Sequence, residues 1–175
     1  MLMGMDPLRL RPWSADDIGL LQAANTPAMT THLNGPESDQ EVIDRHAKYR
    51  RLWREGTART FVIVDDQGRA LGSIAHWGAE WREQPVREAG WFVLPEAQGR
   101  GVSSRAIELL IEDVREHRGD ARYLTAYPSV DNAASNGVCR HGGFELMGTK
   151  TDGFRGADLT FNEWVLDLES LPQSP

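Results

Sequence analysis

The sequence predicts an α/β fold of the α+β kind, a mixed and mostly antiparallel sheet flanked by helices. Three observations carry that prediction. Short β-rich runs crowd the stretch from Thr60 to Leu94, with turn-forming residues between them. A strongly amphipathic stretch, Val102–His117, follows directly. Two further β-rich runs, "FELMGT" and "FNEWVLDL", close the chain. With 175 residues the chain is long enough for one domain with its own core. The expected bounds of that domain are 8–169, with flexible ends at 1–7 and 170–175.

Each element has a local reason. "LRLRPW" (Leu8–Trp13) alternates apolar and basic residues and reads as a short half-buried strand. Ser14 then heads "SADDIGLLQAAN", where Asp16 and Asp17 in the first turn suit the positive end of a helix dipole. Ser38 with Glu41 is a capping-box pattern at the start of a second, highly charged helix, whose apolar face is expected from Val42, Ala47 and Leu52. "TFVIVDDQGRALGSIAHW" reads as a hairpin turning at Asp65–Gly68, and "VREAGWFVL" as the next strand. Along Val102–His117, Ala106, Leu109, Leu110 and Val114 fall at helical spacing, leaving Glu108, Glu112 and Arg115 for solvent. "RYLTAYPSV" is a strand ending in a loop, and "NAASNGVCRHGG" a short helix closed by glycine.

Composition excludes several classes. Lys+Arg 19 against Asp+Glu 26 gives a net charge of −7 without a basic run, which argues against sequence-independent nucleic-acid binding. A cationic small molecule suits an acidic surface better. The single cysteine, Cys139, rules out an internal disulfide and a cysteine-rich zinc site, and no metal-ligand spacing occurs elsewhere. No apolar run approaches a membrane span, and "MLMGMDPLRL" lacks the features of a secretory signal. The expectation is a cytoplasmic protein with no membrane partner and no metal.

The chemistry-bearing stretch is "VLPEAQGRGVSSRAIELL" (Val93–Leu110): a strand, then small and flexible residues, then a helix. Such a loop presents backbone N–H groups at a helix N-terminus, which attracts an anion. Gly99, Gly101 and Ser104 nearly complete a dinucleotide fingerprint, but that motif opens a βαβ unit after the first strand, whereas this one follows a run of hairpins. The alternative pattern is Q-x-x-G-x-(small) over Gln98–Ser103. It resembles the acyl-CoA loop of the GNAT family of N-acetyltransferases, and "EAGWFVLPEAQGRGVSSRA" is similar to the strand–loop–helix of the Rim-type branch. Downstream, "NAASNGVCRHGGF" resembles that branch's N-x-x-S-N-x-V-x-x-x-x-G-F. The two matches together span about Glu88–Phe144.

The resemblance implies a GNAT fold splayed at its central strand pair and acetyl-CoA as co-substrate. It further implies an amine as acceptor, either a small amine metabolite or antibiotic or a protein N-terminus, and a homodimer as an open possibility. Cofactor contacts are implied for the backbone of Trp91, Phe92 and Val93, for the loop Gln98, Gly99, Arg100, Gly101, Val102, Ser103 and Ser104, and for Asn132 and Ser135. Ser103 departs from the usual Gly or Ala, and Arg100 reads equally as a solvated surface residue. Glu88 takes the position of a general base; its plain alternative is an ion-pair partner of Arg87 or Arg82. The tyrosine that many relatives use as proton donor is replaced by Cys139, so Ser135 becomes the expected donor, with helix capping as its plain alternative. Asn132 is expected to cap its helix as well as to reach the cofactor. Arg140 and His141 sit in that helix's last turn. Thr31–Glu37 is a loop that could shape the acceptor pocket, Trp77, Trp81 and Trp91 are candidate walls, and His32 and His76 read as core or surface residues. The competing class is a catalytically silent domain that binds acyl-CoA as a sensor.

Overall fold

The computed structural model describes residues 7–170, so most of both expected flexible ends lies outside the described residues. Among the described residues, seven strands form one sheet in the order β1-β2-β3-β4-β5-β7-β6. They are β1 (Arg9–Pro12), β2 (Ala58–Val64), β3 (Ala70–Trp81), β4 (Gln84–Val93), β5 (Tyr123–Ala126), β6 (Glu145–Phe154) and β7 (Ala157–Asp167). Among the described residues β4 and β5 are the parallel pair, and every other pairing is antiparallel. A parallel pair needs a crossover. The helix α3 (Val102–His117) supplies it, on the bounds that its periodicity predicts.

Both faces of the sheet are covered where β2 and β3 run. Val62 and Val64 pack with Trp13, Leu20, Leu21 and Val42 under α1 (Ile18–Ala24) and α2 (Asp39–Glu55). Phe61 and Ile63 pack with Ala106, Leu110 and Val114 under α3 and α4 (Ala133–His141). This two-sided burial is why "FVIV" is a continuous apolar run rather than an alternating one. Farther along, β6 is exposed for nearly its whole length and forms the sheet's edge.

The Ser38 cap forms as read, whereas Ser14 caps a short 3-10 turn, Ala15–Asp17, that leads into α1. The Ser14 hydroxyl accepts from Asp16 N–H at 3.3 Å, and Asp17 accepts from Ser14 N–H while pairing with Arg11 at 2.9 Å. At α2, Glu41 N–H donates to Ser38 Oγ and Ser38 N–H to Glu41 Oε2. The inner face of α2 differs from expectation. Ala47 is exposed, and the inward residues are Val42, His46, Tyr49 and Trp53. Aromatic partners decide this rotation: Trp13 donates to His46 Nδ1 at 3.0 Å and meets Tyr49 edge-on, and Trp53 meets Phe61 edge-on.

A buried polar chain fastens α3 to the strands. Arg59 on β2 donates two bonds of 2.8 Å to Asp113 on α3. His76, fully buried on β3, meets Asp113 Oδ2 through Nε2 at 2.8 Å. On β4, Arg87 donates from Nε to His76 Nδ1 at 3.0 Å and from Nη2 to the His76 carbonyl. A guanidinium can only donate, so Nδ1 carries a lone pair, Nε2 carries the proton, and the imidazole is neutral. Burial lowers the His76 pKa, and the positive charge of Arg87 adds to that, against the opposing pull of Asp113. Burial alone would raise Asp113, but the bonds from His76 and Arg59 outweigh it and hold the carboxyl far below its usual range.

Both shifts make the fold acid-sensitive. The unfolded chain protonates His76 near pH 6.5, where the folded imidazole resists, so its contribution is complete above that pH and declines below it. Asp113 contributes above about pH 3.9 and loses that contribution as pH falls further. Urea unfolding across pH should therefore show stability falling in two stages, first below about pH 6.5. In the His76→Gln protein the first stage should shrink.

Candidate active site

The site begins where β5 leaves β4. Their pairing runs from Arg87↔Leu124 to Ala89↔Ala126 and stops, whereas β4 continues to Val93 beside β3. Leu94 N–H donates to the Leu71 carbonyl on β3 at 2.8 Å. Strand alternation then turns the N–H groups of Val93 and Trp91 to the opposite edge, into the gap that β5 has vacated. The gap opens at Trp91–Val93, as expected. Their side chains serve the core: Val93 and Trp91 pack on the α3 side, Phe92 on the α1–α2 side.

Two features hold β5 away. Pro128 has no N–H to continue a ladder. Beyond it the chain bonds to β7 instead, Asn162 N–H to the Pro128 carbonyl at 2.9 Å and Val130 N–H to the Thr160 carbonyl at 3.0 Å. Asn136, buried in α4, locks this detour. Its amide nitrogen donates to the carbonyls of Ser129 (2.9 Å) and Asn132 (2.8 Å), and its oxygen accepts from Asn162 Nδ2 and Trp164 Nε1 (2.8 Å each). That is its full hydrogen-bonding capacity.

At the mouth of the gap stands the loop Gln98–Gly101. The Gln98 side chain donates to the Val93 carbonyl at 2.9 Å, satisfying an acceptor that β5 left behind. Gly99 and Gly101 adopt φ of +75° and +74°, a conformation that side chains disfavour. Gly101 is the N-cap of α3 and contributes no side-chain bond to it; the first turn holds no acidic residue. The first helical bond is Arg105 N–H to the Gly101 carbonyl, so the N–H groups of Val102, Ser103 and Ser104 point outward along the dipole. The capped and acidic start of α2 shows the contrast: α3 keeps its positive end open. Ser103 and Ser104 are half-buried there, and Arg100 is exposed, lining a cavity of about 210 Å³ shared with Asp65, Asp66 and Arg69.

On the α4 side, Asn132 Oδ1 accepts from Ser135 N–H at 3.1 Å, so asparagine is the cap. The half-buried Ser135 hydroxyl makes no hydrogen bond among the described residues. Cys139 is fully buried, and burial pushes its thiol up to about 12. Arg140 lies over Trp164, and His141 pairs with Glu108 at 2.7 Å, joining α4 to α3.

Glu88 lies across the sheet from these groups. Ala89 and Val93 face the α3 core, so Glu88 faces the α1–α2 side, where it is half-buried. Its partner is neither Arg87, which bonds His76, nor Arg82, which stacks over Trp81. Trp77 Nε1 donates to Glu88 Oε2 at 3.0 Å, and its ring covers Gly90, where a Cβ would come within 2.9 Å of it. Burial raises the Glu88 pKa, and the Trp77 bond offsets only part of that. Trp77 was legible only as a possible wall; its pairing with Glu88 follows from the β3–β4 register Trp77↔Glu88. Asn136 was missed as well, although an asparagine inside an otherwise amphipathic helix marks a buried polar junction. Around this face, Asn34 donates to the Phe154 and Ala157 carbonyls, while Arg155 reaches the Gly35 carbonyl and Glu37, so the α1–α2 loop and the β6–β7 turn close together. His32 belongs to that loop, and no cluster of metal-ligating side chains occurs among the described residues.

Parted strands, an open helix N-terminus beside them and a half-buried carboxylate across the sheet make up the candidate site. Residues 7–145 match the family model of the acetyltransferase (GNAT) domain. The chain belongs to this family of acetyltransferases, and acetyl-CoA is the co-substrate. Among solved structures it is similar to RimL, a ribosomal alpha-N-protein acetyltransferase in complex with coenzyme A, at 24% identity over 91% of this chain and 93% of that one, TM-score 0.76. It is also similar to an acetyl transferase of Salmonella typhimurium that modifies the N-terminal serine of a ribosomal protein, at 22% over 91% and 94%, TM-score 0.75. A spermidine N-acetyltransferase from Vibrio cholerae, in complex with CoA and spermine, matches at 16% over 92% and 95%, TM-score 0.76. No curated protein matches the sequence. The described helices include none long and apolar enough to cross a membrane.

Asn136→Ala should leave the buried Trp164 indole N–H and the Asn162 amide without their acceptor, while the Ser129 carbonyl keeps its bond from Asn132 N–H. Each unsatisfied group costs about 1–3 kcal/mol. Urea denaturation should register a loss of about 1–3 kcal/mol, and acetyl-CoA affinity should fall with it, because the same side chain holds the gap open.

Proposed function

We propose that the protein transfers the acetyl group of acetyl-CoA to a primary amine by direct attack within a ternary complex. The observation that carries this reading is the position of the strand gap, with the open α3 N-terminus at one end and Glu88 on the other face of the sheet. Bound acetyl-CoA supplies a thioester whose carbonyl accepts the amine and whose sulfur leaves as thiolate. The N–H groups of Val102, Ser103 and Ser104, with Gln98, Gly99, Arg100 and Gly101 shaping the loop, hold the pyrophosphate. The free N–H groups of Trp91 and Val93 hold the pantetheine arm and the thioester oxygen, and Asn132 and Ser135 line the opposite side.

An alkyl ammonium near pKa 10.4 must lose a proton before it attacks, a handicap of about 5 kcal/mol at pH 7. A positioned base contributes 10²–10⁴-fold, and Glu88 takes that role, directly or through water. Its raised pKa supports this, because a stronger base is a better proton acceptor. Ser135 protonates the thiolate: its hydroxyl is uncommitted, while Cys139 is sealed in the core and a weaker donor. A silent acyl-CoA sensor is not favoured, since the family matched is one of acetyltransferases. The reading includes a cytoplasmic enzyme acting as a homodimer, with Leu146 and Met147, exposed on edge strand β6, as apolar surface for a second copy to cover. Small amines and protein N-termini remain the two acceptor classes of this reading.

Release of CoA thiol above background on any member of an amine panel tests the activity; tight CoA binding without release would restore the sensor. Glu88→Gln should lower kcat/KM by about 10²-fold or more near neutral pH. The loss should narrow at higher pH, where more of the amine is already neutral, and an unchanged pH–rate profile removes Glu88 from the chemistry. Ser135→Ala should lower kcat with acetyl-CoA affinity nearly intact, whereas Cys139→Ala should cost stability rather than turnover. The reverse pattern would assign the proton to the cysteine.

A further inference from the structure

Part-buried carboxylates in this protein are, as a rule, neutralised by arginine. Asp17 pairs with Arg11, Glu37 with Arg45 and Arg155, Asp65 with Arg69, and Asp113 with Arg59. Glu88 and Glu163 depart from that rule. Both are half-buried, and each has an indole for its partner: Trp77 Nε1 for Glu88, Trp81 Nε1 for Glu163. An indole N–H satisfies a lone pair but leaves the whole negative charge in place.

The fold brings both carboxylates to one face. Trp164 and Leu166 on β7 face the α3–α4 core, so Glu163 points to the other side, which is also the side of Glu88. Leu124 and Ala126 on β5 face that core too, which turns Tyr127, the first residue past the last β4–β5 pair, toward the two glutamates. Burial raises the Tyr127 pKa, and the charges of Glu88 and Glu163 raise it further, so the phenol keeps its proton between them. Trp81 meets Tyr123 edge-on at 5.4 Å beside Glu163. Two strand spacings separate β4 from β7 through β5, on the order of 10 Å.

The reacting nitrogen and its base account for Glu88 alone. Glu163 forms no ion pair among the described residues; Arg82 stacks over the Trp81 ring and Arg122 over the Tyr123 ring, but neither bonds the carboxylate, which leaves its charge to meet a cation beside the aromatic rings. We propose that the acceptor is a small amine carrying a second cationic nitrogen, held by Glu163 and the surrounding aromatic rings while the first is acetylated beside Glu88. This rests on the acetyltransferase reading and makes Glu163 the residue that sets acceptor specificity.

The test compares matched acceptors with acetyl-CoA saturating: putrescine against butylamine, cadaverine against pentylamine, kanamycin as a ring-borne polyamine, and a serine-initiated peptide without lysine or arginine. The expected result is a kcat/KM for the diamines or for kanamycin at least tenfold above that of the monoamines and the peptide. Which of the two leads tells whether the second nitrogen arrives on a flexible or a ring scaffold. Glu163→Gln should remove that preference mainly through KM, bringing the diamine-to-monoamine ratio near one, and Glu163→Asp should restore part of it. Should the glutamine variant not fold, the wild-type enzyme still decides: rising salt should raise KM for putrescine more steeply than for butylamine. Equal use of monoamines and diamines, a better neutral peptide, or a ratio untouched by Glu163→Gln overturns the proposal while leaving acetyl transfer standing. No thiol release with any acceptor overturns both.

Discussion

The structure turns on the point where β5 parts from β4. A parallel pair that ran its full length would consume the backbone groups of Trp91 and Val93, and nothing could lie along them. Pro128 cannot extend the ladder, and the bonds from Asn162 and Val130 draw the chain onto β7. Asn136 then ties Ser129, Asn132, Asn162 and Trp164 through a single side chain. The gap is thus a stable feature of the folded sheet, held by satisfied hydrogen bonds rather than by strain. Gln98 completes it by bonding the Val93 carbonyl.

The electrostatics follow the same division between what is satisfied and what is left open. The middle of α3 is anchored by Asp113 to Arg59 and His76, and through His76 to Arg87. That anchor fixes the helix without using its N-terminus, whose N–H groups stay exposed behind a glycine cap. On the far face the carboxylates of Glu88 and Glu163 have only indole donors. One side of the sheet therefore carries positive potential at the α3 N-terminus, and the other carries negative charge at Glu88 and Glu163. This polarity supports the proposed transfer of an acyl group from an anionic carrier to an amine, and the overall charge of −7 agrees with it.

Much of this was legible from residue order. The α3 bounds, the Ser38–Glu41 capping box, the β2–β3 hairpin and the glycine loop came from local patterns, because a cap, a turn or an amphipathic face is decided within a few residues. Ala47 on α2 shows the limit. Its spacing suited an apolar face, but Trp13 and Phe61, distant in sequence, rotate Tyr49 and Trp53 inward instead. The lengths of β6 and β7 were also underestimated, since their exposed hairpin carries no apolar periodicity to mark it.

By itself, then, the sequence determined an α/β fold, the glycine loop that opens α3 at Gln98–Ser104 and the asparagine-capped helix at Asn132, all properties of contiguous backbone. Tertiary structure alone decided that Trp77, not an arginine, faces Glu88, that Asn136 holds the sheet open, and that Tyr127 and Glu163 converge on the face of Glu88. The physical reason is the range of the interactions. Backbone conformation answers to near neighbours, whereas the partner of a buried polar side chain is set by strand register and sheet order, which join residues as far apart as Trp81 and Glu163.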